Sequence, residues 1–355
     1  MMADKSLQEK FQPTSSPAKT GCVIGITMGC PSGVGPEIIL RLLAEHSRFA
    51  PCRPVVVGDI ARLERTAGEL GISVDVVPWN ALNEAAAEGA IEVIEPAASR
   101  SPDTDVAGLS WGKPSAVSGH ASAAYIKTAV QLINQGVLQA MVTCPISKAA
   151  LQMAGYSFPG HTEMLASLCG TRDYGMLMAG SQLRVALVTI HTPLTEVPQR
   201  LNEDEILRII KLTNRTLEHD YGISRPRIGV AGLNPHGGEN GLFGNEEELL
   251  IGPAVARAIS ENLDVTGPLP PDTIFNKAVD GRFDVVVAMY HDQGLIPFKL
   301  LHFQDGVNVT MGLPIVRTSV DHGTAYDIAG KGMADPASLA AAFLMAGEIA
   351  QNRHT

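Results

Sequence analysis

The sequence DVVVAM at residues 284–289, followed by YHDQG at residues 290–294, decides how the fold of this chain is interpreted. A short apolar run rich in Val is typical of a strand buried in a parallel sheet. Ligands of open α/β sheets bind at the carboxyl ends of such strands. The stretch therefore predicts an α/β fold in which His291 and Asp292 lie at the carboxyl end of a strand, where active sites of such folds are usually found. Lys299 adds a positive charge just beyond them.

Two further apolar runs also end in a histidine. The run RVALVTI at 184–190 precedes His191, and RIGVAGL at 227–233 precedes NPH, which ends in His236. A single His at a strand end is more often a satisfied structural residue than a ligand. Three of them at equivalent positions predict a shared metal site, and imidazole suits Zn²⁺ and similar divalent ions.

Composition limits the class of protein. A length of 355 residues predicts about two domains, and 45% hydrophobic residues can supply a large core. The net charge of −10 and the lack of a basic stripe argue against nucleic acid. No apolar run reaches the ~20 residues of a membrane span. The five cysteines are scattered without a CxxC pair, which predicts a reduced, cytoplasmic protein.

Two segments allow two interpretations each. Residues 28–37 (MGCPSGVGPE) form a glycine-rich turn after a strand, so they either bind a ligand through backbone N–H groups or make a tight turn only. Lys148 follows the strand at 140–143 and is either a site residue or a solvated residue at a helix start. The polar residues 1–20 predict a disordered leader without the apolar core of a signal peptide.

Other segments carry groups suited to anions. In FPGHTEMLA at 158–166, His161 or Thr162 is expected to cap a helix that begins near Glu163 and to form an anion grip there. Arg317 suits bidentate recognition of carboxylate or phosphate, and Asn308 lies nearby in sequence. GPLPPDT at 267–273 predicts a stiff turn that carries Asp272.

Four motifs together resemble the 4-hydroxythreonine-4-phosphate dehydrogenase family of pyridoxal phosphate biosynthesis. They are PGHTE at 159–163, NPH at 234–236, YHDQG at 290–294 and RTSVDHGTA at 317–325. The resemblance implies a homodimer with active sites at its interface and one divalent metal per site (Zn, Mg, Mn or Co). The implied metal ligands are His191, His236 and His291, supplied by both subunits. The implied substrate-binding residues are His161, Thr162, Lys299, Asn308 and Arg317, with Asp272 and Asp292 close to the site.

A weaker resemblance concerns HGTAYDIAGK at 322–331, which is similar to a loop of the isopropylmalate and isocitrate dehydrogenases. It implies that this loop holds the adenosine part of NAD or NADP, through His322, Gly323, Thr324, Ala325 and Asp327. It also implies two α/β/α lobes with a cleft between them. We expect residues 21–145 plus 305–355 in the first lobe. We expect residues 146–304, with the metal histidines and the dimer interface, in the second.

The implied reaction is oxidation of 4-phosphooxy-L-threonine at C3 to 2-amino-3-oxo-4-(phosphooxy)butanoate, which loses CO₂ to give 3-amino-2-oxopropyl phosphate. Lys148 and Asp292 are both candidates to relay the proton. Cys30 stands where the family usually has an acid, so D-threonate or D-erythronate 4-phosphate is an alternative substrate. The intact GHTE segment favours a phosphorylated substrate over a dihydrodiol.

Two rival classes stay open at this point. A three-His zinc hydrolase would use the same ligands to activate water. The dehydrogenase-like loop at 322–331 argues against it. A non-catalytic metal-binding protein is disfavoured by the concentration of Lys, Arg, Asn and His near strand ends.

Overall fold

The computed structural model describes residues 22–44, 51–80, 89–97 and 105–354. The predicted leader at residues 1–20 lies outside them. The strands are β1 (Val23–Thr27), β2 (Arg53–Val57), β3 (Val76–Pro78), β4 (Ile91–Ile94), β5 (Ala140–Thr143), β6 (Gly175–Ala179), β7 (Arg184–Leu187), β8 (Ile228–Ala231), β9 (Val265–Leu269), β10 (Val285–Ala288), β11 (Val307–Met311) and β12 (Val316–Val320). The helices are α1 (Gly35–Ala44), α2 (Ile60–Leu70), α3 (Ala116–Asn134), α4 (Lys148–Met153), α5 (His161–Cys169), α6 (Val197–Arg200), α7 (Glu203–Tyr221), α8 (Gly252–Ser260), α9 (Pro271–Val279), α10 (His291–Leu301) and α11 (Ala337–His354).

The strands form one continuous sheet in the order β3-β4-β2-β1-β5-β12-β11-β6-β7-β10-β8-β9. One half of the sheet contains a parallel set made of β4, β2, β1, β5 and β12. The other half is a second parallel set made of β7, β10, β8 and β9. Three antiparallel pairings, β12–β11, β11–β6 and β6–β7, join the two sets. The two parallel sets therefore run in opposite directions, and only strands of one set share a carboxyl edge.

The predicted α/β fold is confirmed, with helices packed on a large mixed sheet. The buried side chains form one large cluster and a second, smaller one around β7, β10 and α10. The proposed division into 21–145 plus 305–355 and 146–304 would fall at the β11–β6 pairing and stays a prediction.

Residues 291–301 form α10, with Pro297 inside it, a helix for which no prediction was made. Two local predictions are wrong. Residues 267–273 are not a turn: they contain the end of β9 and the start of α9, since the prolines occupy strand-end and first-turn positions. Helix α5 begins at His161, earlier than expected, so Gly160 occupies the N-cap and neither His161 nor Thr162 caps it. Among the described helices, none combines the length and the apolar character needed to cross a bilayer.

Candidate active site

Two of the three histidines lie side by side at one edge of the sheet. His191 follows β7, and His291 opens α10 directly after β10, the strand paired in parallel with β7. Their ring centroids are 5.9 Å apart. They line a cavity of about 480 Å³ together with Leu194, Tyr290 and Asp292. Helix α10 lies directly on β7, because a Cβ on Gly294 would stand 2.6 Å from a Val185 methyl group.

The His291 ring is oriented by its neighbour. Nδ1 of His291 lies 2.7 Å from Oδ1 of Asp292. A carboxylate on Nδ1 fixes the tautomer and leaves Nε2 to bind a metal, as is usual for metal-ligating histidines. The predicted catalytic residue Asp292 is thus engaged with a predicted metal ligand.

Gln293 was missed by sequence reasoning, although it lies in the YHDQG motif. Its buried amide accepts a hydrogen bond from Met289 N and donates one to Gly232 O, each at 2.7 Å. These bonds join the turn that presents His291 to the end of β8. Gln293 therefore fixes two of the histidine-bearing segments relative to each other.

His236 does not line the cavity of the other two histidines and forms no metal-binding group with them among the described residues. Its φ of 56° is left-handed, as is the φ of 70° at Gly237. Such a conformation is costly for a residue with a Cβ and is concentrated at functional sites. Its Nδ1 is 4.0 Å from Oδ2 of Asp272, and its side chain is 64% exposed. Within the ranges that the structure describes, no three His, Cys, Asp or Glu side chains form a metal-binding group.

Lys148 and Glu163 act on His191 from neighbouring elements. Burial lowers the pKa of His191, the positive charges of Lys148 and His291 lower it further, and Glu163 opposes them. The neutral imidazole is therefore favoured at neutral pH, which is the form that binds a metal. Lys148 is the exposed first residue of α4, so it is both a helix-start residue and a charge acting on this site.

A second region is a cluster of Arg317, His161, Thr143 and Thr310, which we call the anion pocket after the role proposed for it below. Arg317 is only 4% exposed. Its Nε and Nη2 donate to Thr143 Oγ1 at 3.1 and 2.7 Å, and its Nη1 donates to Thr310 Oγ1 at 2.9 Å. Burial lowers the pKa of Arg317 to about 9, which still leaves the guanidinium charged at pH 7. Neutral hydroxyls thus hold a buried positive charge.

His161 belongs to the same cluster and has an unpaired ring nitrogen. Its Nε2 is shielded from solvent and has no hydrogen-bond partner among the described residues. Burial first, and then the charge of Arg317, hold the pKa of His161 well below its usual range. An unpaired buried polar atom carries a free-energy cost that a bound ligand can remove. An acceptor group or an anion would complement both the Arg317 guanidinium and a protonated His161 Nε2.

Lys299 and Asn308 lie in a cavity of about 720 Å³ with the loop at residues 322–335. Lys299 Nζ is 2.9 Å from Asp321 Oδ2, a partner that the sequence did not reveal. Oδ1 of Asn308 is buried without a hydrogen-bond partner in the described structure. His322, Gly323 and Ala325 line the same cavity. Thr324 and Asp327 belong to the loop, and Ala325 adopts a left-handed φ of 42°.

A larger cavity of about 800 Å³ lies elsewhere and has no predicted site residue in its lining. Its charged groups bind each other, with Arg215 on Asp173 and Arg353 on Asp220. We therefore place the candidate site at the anion pocket and at the two cavities lined by His191, His291 and the loop.

Known proteins resemble this chain along most of its length. The family described as "Pyridoxal phosphate biosynthetic protein PdxA" matches residues 50–346. The 4-hydroxythreonine-4-phosphate dehydrogenase of Desulfosudis oleivorans is 54% identical over 327 residues, which cover 91% of this chain and 95% of the relative. The D-threonate 4-phosphate dehydrogenase of Cupriavidus necator is 47% identical over 333 residues, covering 93% and 98%.

A solved structure agrees with these sequences. The 4-hydroxythreonine-4-phosphate dehydrogenase from Klebsiella pneumoniae superposes with a TM-score of 0.84 at 43% identity, covering 94% of this chain and all of that one. These relatives are named dehydrogenases, and the family match at residues 50–346 spans the positions of the anion pocket, the three histidines and the loop at 322–335. The chain therefore belongs to the pyridoxal phosphate biosynthetic protein PdxA family, and its class is oxidoreductase.

Proposed function

We propose that this protein oxidises 4-phosphooxy-L-threonine at C3, using NAD or NADP and a divalent metal, and releases CO₂ to form 3-amino-2-oxopropyl phosphate. The observation that carries the proposal is the anion pocket. Arg317 and the unpaired Nε2 of His161 form a buried, positively charged cluster in a chain whose net charge is −10. A phosphate or carboxylate group complements both.

Two groups of residues would bind the substrate. Arg317, His161 and the first turn of α5 with Thr162 would hold one anionic group, since the first N–H groups of a helix have no partner within it. Lys299 and Asn308 would contact the other polar groups of the substrate from the 720 Å³ cavity. Because Asp321 already neutralises Lys299, Arg317 would carry most of the charge recognition.

The donor set fits a divalent ion in part. His191 and His291 offer two imidazoles, and Asp292 orients one of them. His236 and Asp272 offer a third imidazole and a carboxylate at an exposed place outside the cavity of His191 and His291. We propose that two copies of the chain complete the site, so that His236 comes from the second copy.

Exposed apolar side chains support such a pairing. Leu242 is 71% exposed and Phe243 46% exposed in the segment next to His236, and Phe243 contacts its ring. Leu194 is 67% exposed beside His191 and His291. Apolar side chains that flank a binding site mark surfaces that another molecule covers. A homodimer would bury both groups together with the active sites.

A divalent ion (Zn, Mg, Mn or Co) on these imidazoles would supply Lewis-acid polarisation of the C3 oxygen, and NAD or NADP would accept the hydride. The side chains would orient the substrate so that C3 faces the cavity at residues 322–335, where His322, Gly323, Thr324, Ala325 and Asp327 would bind the cofactor. Oxidation gives a ketone β to the carboxylate, which loses CO₂ readily.

Lys148 is the better candidate for the proton relay. Asp292 already binds the His291 ring at 2.7 Å, so its carboxylate has an orienting task. Lys148 is exposed and acts electrostatically on His191, which supports a role for it close to the proposed metal site. We propose that Lys148 exchanges the C3 hydroxyl proton with solvent.

A second candidate is oxidation of D-threonate or D-erythronate 4-phosphate. Relatives named D-threonate 4-phosphate dehydrogenase are 47% and 42% identical to this chain. The anion pocket suits either substrate, because both carry a phosphate and a carboxylate.

A paired assay tests the proposal. Chelator-stripped protein receives Zn²⁺, Mg²⁺, Mn²⁺ or Co²⁺ and NAD or NADP, and reduced-cofactor absorbance is followed with each substrate in parallel. Metal-dependent turnover of 4-phosphooxy-L-threonine is expected. Turnover of D-threonate 4-phosphate alone would replace the substrate while keeping the chemistry. No reduction of NAD or NADP with either substrate, whichever metal is added, would contradict the proposal.

A further inference from the structure

The glycine-rich turn at residues 28–37 has a task that neither of its sequence interpretations described. Its backbone is committed to protein contacts: Cys30 N donates to Pro145 O at 2.8 Å, and Gly33 N donates to Cys30 O at 2.9 Å. Val34 N donates to Thr324 O at 3.0 Å, which lies in the loop at 322–335. The turn therefore presents few N–H groups to a phosphate and instead packs against that loop.

The contact is close as well as hydrogen-bonded. A Cβ on Gly33 would stand 3.0 Å from the Thr324 carbonyl oxygen, so a larger residue would push the loop away. Cys30 Sγ lies 3.3 Å from the Tyr326 hydroxyl. Cys30, at the position where the family usually has an acid, thus contacts the loop rather than the anion pocket.

Glu37 contacts this loop through two hydrogen bonds. Its carboxylate is completely buried. Oε2 accepts a hydrogen bond from Gly330 N at 3.1 Å, and Oε1 accepts one from Ala334 N at 2.8 Å. A charged acceptor bound by backbone N–H groups makes stronger hydrogen bonds than a neutral one. One side chain therefore clamps the backbone of residues 330–334 at two points.

Arg41 completes the clamp from the next turn of α1. Its Nη1 donates to Gly332 O at 2.9 Å and to Ala334 O at 2.8 Å, and it lies 3.9 Å from Glu37 Oε1. Acceptor and donor thus bind opposite backbone groups of the same short segment. Met333 and Ala334 of that segment line the 720 Å³ cavity.

We propose that Glu37 is a positioning residue for the dinucleotide, because it holds the backbone of residues 330–334 in the shape that binds the cofactor. This inference rests on the proposed function in one respect, that NAD or NADP occupies the cavity at residues 322–335. Glu37 itself is buried beneath the loop and lines neither of the two cavities of the candidate site.

The test substitutes Glu37→Gln, which keeps the size of the side chain. Glutamine has one carbonyl oxygen to accept a backbone N–H, and its NH₂ group would face the second N–H donor. We expect the Kd for the dinucleotide, measured by calorimetry, to rise about tenfold or more. Amide hydrogen exchange at residues 330–334 should quicken in the cofactor-free protein. Metal affinity should stay within twofold of wild type.

Glu92→Gln is the matched control. Glu92 is also a buried glutamate in the same half of the sheet, and it accepts a hydrogen bond from Arg53 Nε at 2.6 Å. It should lose stability without weakening dinucleotide binding. Arg41→Met serves as a second variant, since Arg41 is partly exposed, and it should weaken the dinucleotide several-fold.

The possible outcomes distinguish failure of the proposed cofactor from failure of the proposed role of Glu37. Wild-type protein that binds neither NAD nor NADP would overturn the proposed cofactor and this inference together. Wild-type binding combined with an unchanged dinucleotide Kd and unchanged exchange at residues 330–334 in Glu37→Gln would overturn the inference alone. An equal loss of dinucleotide affinity in Glu92→Gln would assign the effect to general stability, and would also overturn it.

Discussion

The anion pocket and the edge that carries His191, His236 and His291 differ in how complete they are within one chain. Arg317 is buried, held by Thr143 and Thr310, and accompanied by a shielded His161. At the histidine edge, His191 and His291 are adjacent while His236 is exposed and lies outside their cavity. One region is preformed, whereas the other offers two incomplete parts.

This difference indicates what each region requires. Buried cationic groups need fixed partners, so the anion pocket has to be assembled when the chain folds. An exposed imidazole stays hydrated, so it has little desolvation free energy to offset before a second molecule completes its site. We infer that substrate anion recognition belongs to the single chain and that metal binding belongs to the pair.

Removing a histidine ligand should produce the largest effect. His291→Ala is expected to lower kcat/KM by about 10³-fold or more, since a Lewis acid supplies several kcal/mol and each 1.4 kcal/mol is tenfold. Metal content should fall, but inorganic phosphate should still protect the protein against denaturation. His219→Ala, at an exposed helix end, is the control. Loss of phosphate protection in His291→Ala would break the distinction between the two regions.

Removing the Arg317 guanidinium should weaken anion binding and leave metal binding intact. Arg317→Ala is expected to lower kcat/KM by about 10²- to 10³-fold, because truncating one member of a desolvated charge pair costs about 2–5 kcal/mol. Metal affinity, measured by calorimetry, should stay within threefold of wild type. Arg215→Ala removes an exposed arginine paired with Asp173 and should leave kcat/KM unchanged. A metal-free Arg317→Ala protein would contradict the account.

The smallest expected effect is a pH dependence of stability. Since the pKa of His161 lies well below 6.5, the folded chain binds fewer protons than the unfolded chain as pH falls below 6.5. The contribution of His161 to the free energy of unfolding is then lost with decreasing pH, by at most about 1.4 kcal/mol per pH unit.

Urea unfolding at pH 7.5, 6.5 and 5.5 measures this contribution as the difference between wild type and His161→Asn. Added phosphate should reduce the difference, because an anion stabilises the protonated ring. An identical pH profile in both proteins would mean that the His161 ring is not shielded as described.

The sequence predicted well those features that depend on local pattern. Apolar runs marked β5, β7, β8 and β10, and polar residues after β7, β8 and β10 marked one edge of the sheet. The parallel pairing predicted for the run at 284–289 is confirmed in β10. The reversal of direction between the two parallel sets was not predicted, and neither was β6, which helps to join them through antiparallel pairings.

The supporting contacts of the site were also beyond the sequence. Lys299 pairs with Asp321 across 22 residues, and Arg317 meets Thr143 across 174. A threonine in a strand or a glutamate in a helix has no pattern that marks its partner. Glu37 illustrates this, since only the folded chain brings its carboxylate to the backbone at residues 330–334.

A mixing experiment with His236→Ala and His291→Ala tests the central claim most directly. Each variant alone should lack tight metal binding and activity. If His236 acts on the His191–His291 pair of another copy, unfolding and refolding a 1:1 mixture should restore about a quarter of wild-type activity and metal content, since half of the dimers are mixed and each has one intact site. No recovery from a mixture that forms mixed dimers would contradict the shared site.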